Sequence, residues 1–233
     1  MLAFREVDLP AGEGYEVGLT GVSLELKAGQ LVVVAVEEEI LPELPLADAA
    51  QGLIGPAAGR IEFLGRPWEE WTHREACSLR GLVGRVSAGT SLLNNLDIDE
   101  NVTLPGRYHG FGTHSSLLQE ADQLAKRFGL PEIARCRPAV ATRKQRAVAV
   151  WARAFLGPKR LIILEGPTRE VDRETAKRFC TFAAEQAATG KAVLWITGSP
   201  WEVQNTASFR TALFELTGTR LQMRTEVSND QTF

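Results

Sequence analysis

No run of apolar residues in this 233-residue chain approaches the roughly 20 that a membrane helix needs, and its first residues lack a basic-then-apolar leader pattern. An excess of one charge is missing too. With 26 basic and 29 acidic residues the net charge is -3, which argues against nucleic-acid binding through a broad basic face. Cysteine is scarce: Cys77, Cys136 and Cys180 are odd in number and widely spaced, so they suggest neither a disulfide framework nor a zinc site and read as small buried hydrophobes. Internal repeats and low-complexity segments are absent. What is left is 44% hydrophobic and 24% charged, ordinary for one domain long enough to bury a substantial core. The expected location is the cytoplasm.

The hydrophobic pattern is that of an α/β chain. Leu2 to Val7 and Val22 to Leu26 read as strands, Gln30 to Ala35 as a short buried strand, and Leu46 to Leu53 as a helix. A hairpin-like pair and the strand Leu82 to Val86 follow. From Ser91 to about Ala154 the spacing turns helical, with Leu117, Leu118, Ala121, Leu124, Ala125 and Phe128 three and four apart before Gly129. Arg160 to Leu164 then reads as a buried strand, Arg173 to Ala188 as a helix ended by Gly190, and Ala192 to Thr197 as the next strand. This alternation implies a mainly parallel core sheet. The polar tail 226–233 is expected to be loose.

A strand, a nine-residue turn and a helix make the setting of a glycine-rich phosphate loop, but residues 37–45 read Glu-Glu-Glu-Ile-Leu-Pro-Glu-Leu-Pro. A phosphate loop works by aiming unhindered backbone N–H groups, a helix N-terminus and a lysine at anionic oxygens. Pro42 and Pro45 each delete an N–H donor, and Glu37, Glu38, Glu39 and Glu43 add negative charge. A glutamate in place of lysine about 5 Å from a phosphate charge reverses an interaction of roughly 3 kcal/mol at an effective dielectric of about 20. Two readings of the glutamates stay open. They form a solvated acidic turn, or Glu43 serves as an internal anion at the helix N-terminus, stabilising the empty fold by ~0.3–1 kcal/mol.

Two further segments carry a family resemblance. Gly59 to Gly65 resembles the "G-x-(I/V)-x-(F/L)-x-G" strand turn of ABC-type ATPases, and Ala152 to Thr168 resembles their "A-R-A-L-x-x-x-P-x-L-L-(I/L)-L-D-E-P-T". The resemblance covers nearly the whole chain. It implies a P-loop NTPase (ABC ATPase) fold: a RecA-like, mainly parallel core with an N-terminal antiparallel β-layer and an inserted helical lobe. The chain would be a single domain, with 1–90 and 155–225 as core and 91–154 as lobe.

Aligned to that family, the positions that handle nucleotide are altered. Glu37 stands at the first glycine of the phosphate loop, Pro42 at the last, Glu43 at the lysine and Leu44 at the serine or threonine. Ala88 occupies the Q-loop glutamine position. Thr142, Arg143, Lys144 and Gln145 align with the signature, where only Gln145 is identical, Thr142 keeps a hydroxyl, and two bulky cations replace glycines that let backbone amides approach phosphate. Weak phosphate contact by those cations stays open. Glu165 takes the magnesium-associated aspartate position, Gly166 that of the glutamate acting on the attacking water, and Gly198 that of the switch histidine; a glycine accepts no proton, so general-base chemistry is lost. Of the D-loop, Arg169 to Asp172 keeps the aspartate alone. The adenine-stacking aromatic falls near Glu13, with Tyr15 out of register.

The scaffold is better kept. Thr90 to Pro105 follows the family's "x-x-L-L-x-x-L-T-V-x-E-N-V-x-L-P", a region implied to receive the permease, with Leu92, Leu93, Leu96 and Tyr108 as contact candidates beside a core role for most of the leucines. Glu100 to Pro105 with Arg107 to His109 looks most like the ATPases of Mce/Mla-type lipid transporters. His109 and His114 have no metal-like partners and are expected on the surface. Trp68, Trp71, Trp151, Trp195 and Trp201 are many for the family, and fill either vacated nucleotide space or ordinary core. The implied function is a catalytically inactive ABC-type subunit, peripheral to the inner membrane, that docks on a permease and forms a homodimer or a heterodimer with an ATPase paralogue. No cofactor and no metal are expected. An active ATPase using ATP and Mg with unorthodox residues, and a stand-alone cytoplasmic adaptor, are the alternatives.

Overall fold

The computed structural model describes residues 1–12, 14–89 and 92–224; Thr225 with the tail 226–233, Glu13, and Thr90 with Ser91 lie outside the described residues. β1 (Leu2–Leu9) pairs antiparallel with β2 (Leu19–Leu26), its apolar residues facing inward. β3 (Leu31–Ala35) leads through the short turn Leu41–Glu43 into α1 (Leu46–Ala50). β4 (Ala58–Phe63) and β5 (Arg66–Pro67) complete a four-stranded layer in the order β2-β1-β4-β5. The helix expected to reach Leu53 ends at Ala50 because its last carbonyls are taken from outside. Trp68 Nε1 donates to the Ala50 oxygen at 3.3 Å, and Arg80 Nε donates to the Gln51 oxygen at 3.1 Å.

After α2 (His73–Arg80) and β6 (Val83–Val86), three helices follow: α3 (Ile98–Tyr108), α4 (His114–Arg127) and α5 (Arg143–Phe155). β7 (Leu161–Glu165), α6 (Arg173–Ala188), β8 (Ala192–Thr197), α7 (Pro200–Asn205), β9 (Ala212–Thr217) and β10 (Arg220–Met223) close the chain as described. The main sheet has six strands in the order β10-β9-β3-β8-β7-β6, parallel except for β10. The central strands β3, β7 and β8 read as nearly unbroken apolar runs because both their faces are covered.

Alternation along those strands divides the core in two. Leu31, Val33, Ile162, Leu164, Val193 and Trp195 face one cluster, while Val32, Val34, Leu161, Ile163, Leu194 and Ile196 face the other. The second cluster fills the space between the main sheet, α1 and the antiparallel layer. In the first, the inner faces of α3, α4 and α5 merge with the sheet and α6 into one continuous body of side chains. Phe128, Trp151, Phe155, Phe179, Phe182 and Trp195 form its aromatic centre; the Trp151 and Phe179 ring centroids stand 4.3 Å apart.

Candidate functional site

The parallel register places Ala35 beside Thr197 and Glu165 beside Ile196, so the segments that leave β3, β7 and β8 converge at one end of the sheet. This is where open α/β sheets bind ligands. Val36 N donates to the Thr197 oxygen at 3.0 Å, fastening the start of the acidic segment to the end of β8. Glu38 then pairs with Arg169, its carboxylate 2.6 Å from Nε. A β-carbon added to Gly198 would lie 2.4 Å from the Glu38 Cα and 2.7 Å from its carboxylate, so no side chain fits there. Gly166 has φ of 51°, and a β-carbon on it would meet the Arg169 Cδ at 2.7 Å and the Leu41 Cδ2 at 3.0 Å. Leu41 and Leu44 are buried in the second core cluster, while Glu37, Glu39 and Pro42 are at least partly exposed. The acidic segment has turned two leucines inward, with Leu41 against the place where Gly166 lacks a side chain and Glu38 against the corresponding place at Gly198.

The internal-anion reading of Glu43 is corrected. Glu43 sits in the turn Leu41–Glu43, and no side chain caps α1 at Pro45. Anionic partners come instead from Glu38 and from Asp48, inside α1.

Asp48 belongs to a partly buried chain of charges that spans four segments, with Glu165 at its buried end. Arg85, on β6, grips Glu165 with Nε at 2.6 Å and Nη2 at 3.1 Å, and its Nη1 pairs with Asp48. The Tyr15 hydroxyl donates to the other oxygen of Asp48. Burial works to lower the Arg85 pKa, but Glu165 and Asp48 hold it above its ordinary value. Burial pushes the Glu165 carboxyl up, against the opposing pull of Arg85. Burial and the bond to Asp48 push the Tyr15 phenol up to about 12. Sequence reasoning placed Glu165 and noticed Tyr15, but it missed Arg85, Asp48 and the Glu38–Arg169 pair. One signal was available: a charge in the middle of an apolar strand or helix, as in Val-Gly-Arg-Val and Leu-Ala-Asp-Ala, must find a partner.

The motif residues that survive are held by local duties. Thr142 Oγ1 accepts from Gln145 N at 3.2 Å and Gln145 Oε1 accepts from Thr142 N at 2.9 Å, a capping box that opens α5. Asp172 Oδ1 accepts from Thr175 N at 2.9 Å and caps α6. Arg143 is exposed and Lys144 half-buried. Thr168 donates its N–H at 3.0 Å, and its hydroxyl, to Glu202, whose other oxygen accepts from Trp195 Nε1 at 2.8 Å. Trp151 Nε1 donates to the Pro167 oxygen at 3.0 Å. Both tryptophans are thus core residues that also tie down the 166–168 turn.

A cavity of about 370 Å³ lies between β6, α5 and that turn, lined by Ala88, Leu92, Arg146, Trp151, Gly166 and Arg169 among others. Leu92, a contact candidate, is buried in the first core cluster. Leu96 is half-buried, Leu93 and Leu104 are exposed, and Tyr108 is 72% exposed. Asn101 shapes this edge: its Oδ1 accepts from Leu93 N at 2.7 Å and its Nδ2 donates to the Leu93 oxygen at 3.0 Å. His109, expected on the surface, is half-buried against Phe111, and His114 Nε2 lies 3.3 Å from Asp99. Among the described residues no cluster of three or more His, Cys, Asp or Glu is placed to hold a metal ion, and no helix is long and apolar enough to cross a membrane.

A mainly parallel sheet with an antiparallel layer on one face, helices on the other, and loops converging at its carboxyl end is the arrangement of the ABC ATPase fold. A solved dimeric bacterial ABC transporter cassette matches it with a TM-score of 0.82 at 20% identity, over 95% of this chain and 97% of that one. Among curated relatives, the pyoverdine export ATP-binding/permease protein PvdT of Pseudomonas aeruginosa is 28% identical over 186 residues, 77% of this chain and 27% of that protein. The ABC transporter ATP-binding protein YbbA of Escherichia coli K12 is 29% identical over 161 residues, 69% of this chain and 70% of that protein. No family model matches. The chain is thus similar to ABC transporter ATP-binding proteins at 28–29% identity, and it spans about a quarter of the length of the permease-fused pyoverdine relative.

Proposed function

We propose that this chain is a non-hydrolysing cassette subunit of an ABC-type transport complex, one that docks on a membrane permease, pairs with a second cassette and acts structurally or regulatorily at the cytoplasmic face of the inner membrane. The observation that carries the reading is the contact between Glu38 and Gly198, with the Glu38 carboxylate paired to Arg169. A phosphate chain needs that volume, and it needs cations and free amides rather than a carboxylate. The residues present do not fit a magnesium nucleotide. Glu165 is already taken by Arg85, the loop carries no lysine, and Gly166 offers no base.

The exposed apolar side chains of Leu93, Leu104 and Tyr108, with Leu96 half-buried, support permease docking. The two-cassette arrangement is supported by the dimeric relative. Pairing with an active paralogue would impair both composite sites, since this chain spoils its own phosphate loop and offers a poor signature. The pyoverdine relative is named as an exporter, which favours export; lipid cargo rests on Glu100 to Pro105 and Arg107 to His109 alone.

Equilibrium binding of a fluorescent ATP analogue with Mg²⁺, alongside phosphate release, tests the reading. We expect no saturable binding up to millimolar nucleotide. Sub-micromolar affinity overturns it in favour of a working ATPase with unorthodox residues.

A further inference from the structure

We infer that Arg85 is a resident cation: its guanidinium fills a partly buried pocket built by Asp48 and Glu165, and the same pocket takes a divalent metal ion once Arg85 is shortened. The inference rests on the proposed non-hydrolysing reading and deepens it, since it names what keeps the site ordered.

The Glu165 side chain is 4% exposed, and both its oxygens are bonded to one guanidinium. That guanidinium also reaches Asp48, whose second oxygen is held by Tyr15. Two acidic groups therefore share one basic group in a space that is buried at Glu165 and partly open at Asp48, and the fork of Arg85 joins β6, β7 and α1 with the segment before β2. The cations on adjoining segments are committed elsewhere. Arg80 is engaged by the Gln51 and Gly52 carbonyls, and Arg169 by Glu38. Without Arg85 the two carboxylates would face each other with no counter-ion, a state that burial makes costly. Two carboxylates and a phenol oxygen are hard donors, suited to Mg²⁺ or Mn²⁺ with water completing the shell. Arg85 thus plugs a cation pocket with a side chain that cannot dissociate.

The test compares the wild type with Arg85→Ser in thermal melts and titration calorimetry, using MnCl₂ and no nucleotide, so that it is read independently of ATP binding. We expect Arg85→Ser to melt lower than wild type in EDTA, to bind one Mn²⁺, and to gain at least ~5 °C in ~10 mM Mn²⁺. Wild type should show neither effect, and Glu165→Gln added to Arg85→Ser should abolish both. An Arg85→Ser protein that melts like wild type and ignores Mn²⁺ overturns the inference, as does wild type binding Mn²⁺ through Glu165. If Arg85→Ser does not fold in EDTA, recovery of folding by Mn²⁺ supports the pocket. Failure in both conditions overturns it when the uncharged combination Arg85→Met, Asp48→Asn, Glu165→Gln folds; failure of that combination as well shows a packing role and overturns it too. Tight ATP binding by wild type would sink the non-hydrolysing reading without touching the metal result.

Discussion

Gly198 stands so close to Glu38 that a β-carbon on the glycine would lie 2.4 Å from the Glu38 Cα. The two positions belong to different segments, one after β8 and one after β3, and each departs from the ABC pattern in the way that admits the other. Restoring one family residue alone should therefore harm the protein. Gly198→His is expected to destabilise it by about 1–3 kcal/mol through overpacking, without creating nucleotide affinity. Urea unfolding and ATP-analogue binding check this; a Gly198→His protein as stable as wild type would mean that the acidic segment moves aside freely.

Glu202 is fully buried and satisfied from both sides by Thr168 and Trp195. Glu202→Gln must turn an NH₂ group toward one of those donors, and a loss of about 1–3 kcal/mol is expected in urea unfolding. Combining it with Trp195→Phe should cost less than the sum of the two single changes, because they share one bond.

The capping role assigned to Thr142 predicts that Thr142→Ala costs about 1 kcal/mol of stability. Thr142→Ser should recover most of it. A phosphate-contact role would instead show as a change in ATP-analogue binding with little change in unfolding midpoint.

Lys159 gives a pH prediction. Burial pushes its ammonium down to about 8, while the unfolded chain keeps the ordinary value of 10.5. Between these values the unfolded state binds more protons, so the Lys159 contribution to stability rises as pH rises from about 8 toward 10.5, by at most about 1.4 kcal/mol per pH unit. The stability of wild type relative to Lys159→Met should climb over that window and stay flat from about pH 6 to 7.

Tyr108→Ala, at an exposed position, should leave stability within about 0.5 kcal/mol. Combined with Leu104→Ala it should abolish co-purification with a polytopic membrane protein. Retained co-purification would move the docking surface elsewhere.

Much of the architecture was legible beforehand. The helix at Arg173–Ala188 and the strand at Ala192–Thr197 lie where periodicity put them, because long amphipathic and continuous apolar patterns are local properties. The early end of α1 was not legible: its last carbonyls are satisfied by Trp68 and Arg80, from a hairpin and a helix further along the chain. Leu92 and Leu93 look alike in sequence, yet one is buried and the other exposed, because Asn101, eight residues on, holds the Leu93 backbone at both its N–H and its carbonyl.

The amino-acid sequence by itself determined the α/β alternation, the resemblance to ABC ATPases, and the absence of a lysine, a base and a switch histidine at the family's positions. These are matters of which residue types stand at which spacing. Only the tertiary structure decided what replaced them: Glu38 against Gly198 and Arg169, and Arg85 between Asp48 and Glu165. Those contacts join residues far apart in the chain, and a buried charge selects its partner by position in space, where desolvation makes an unpaired group costly.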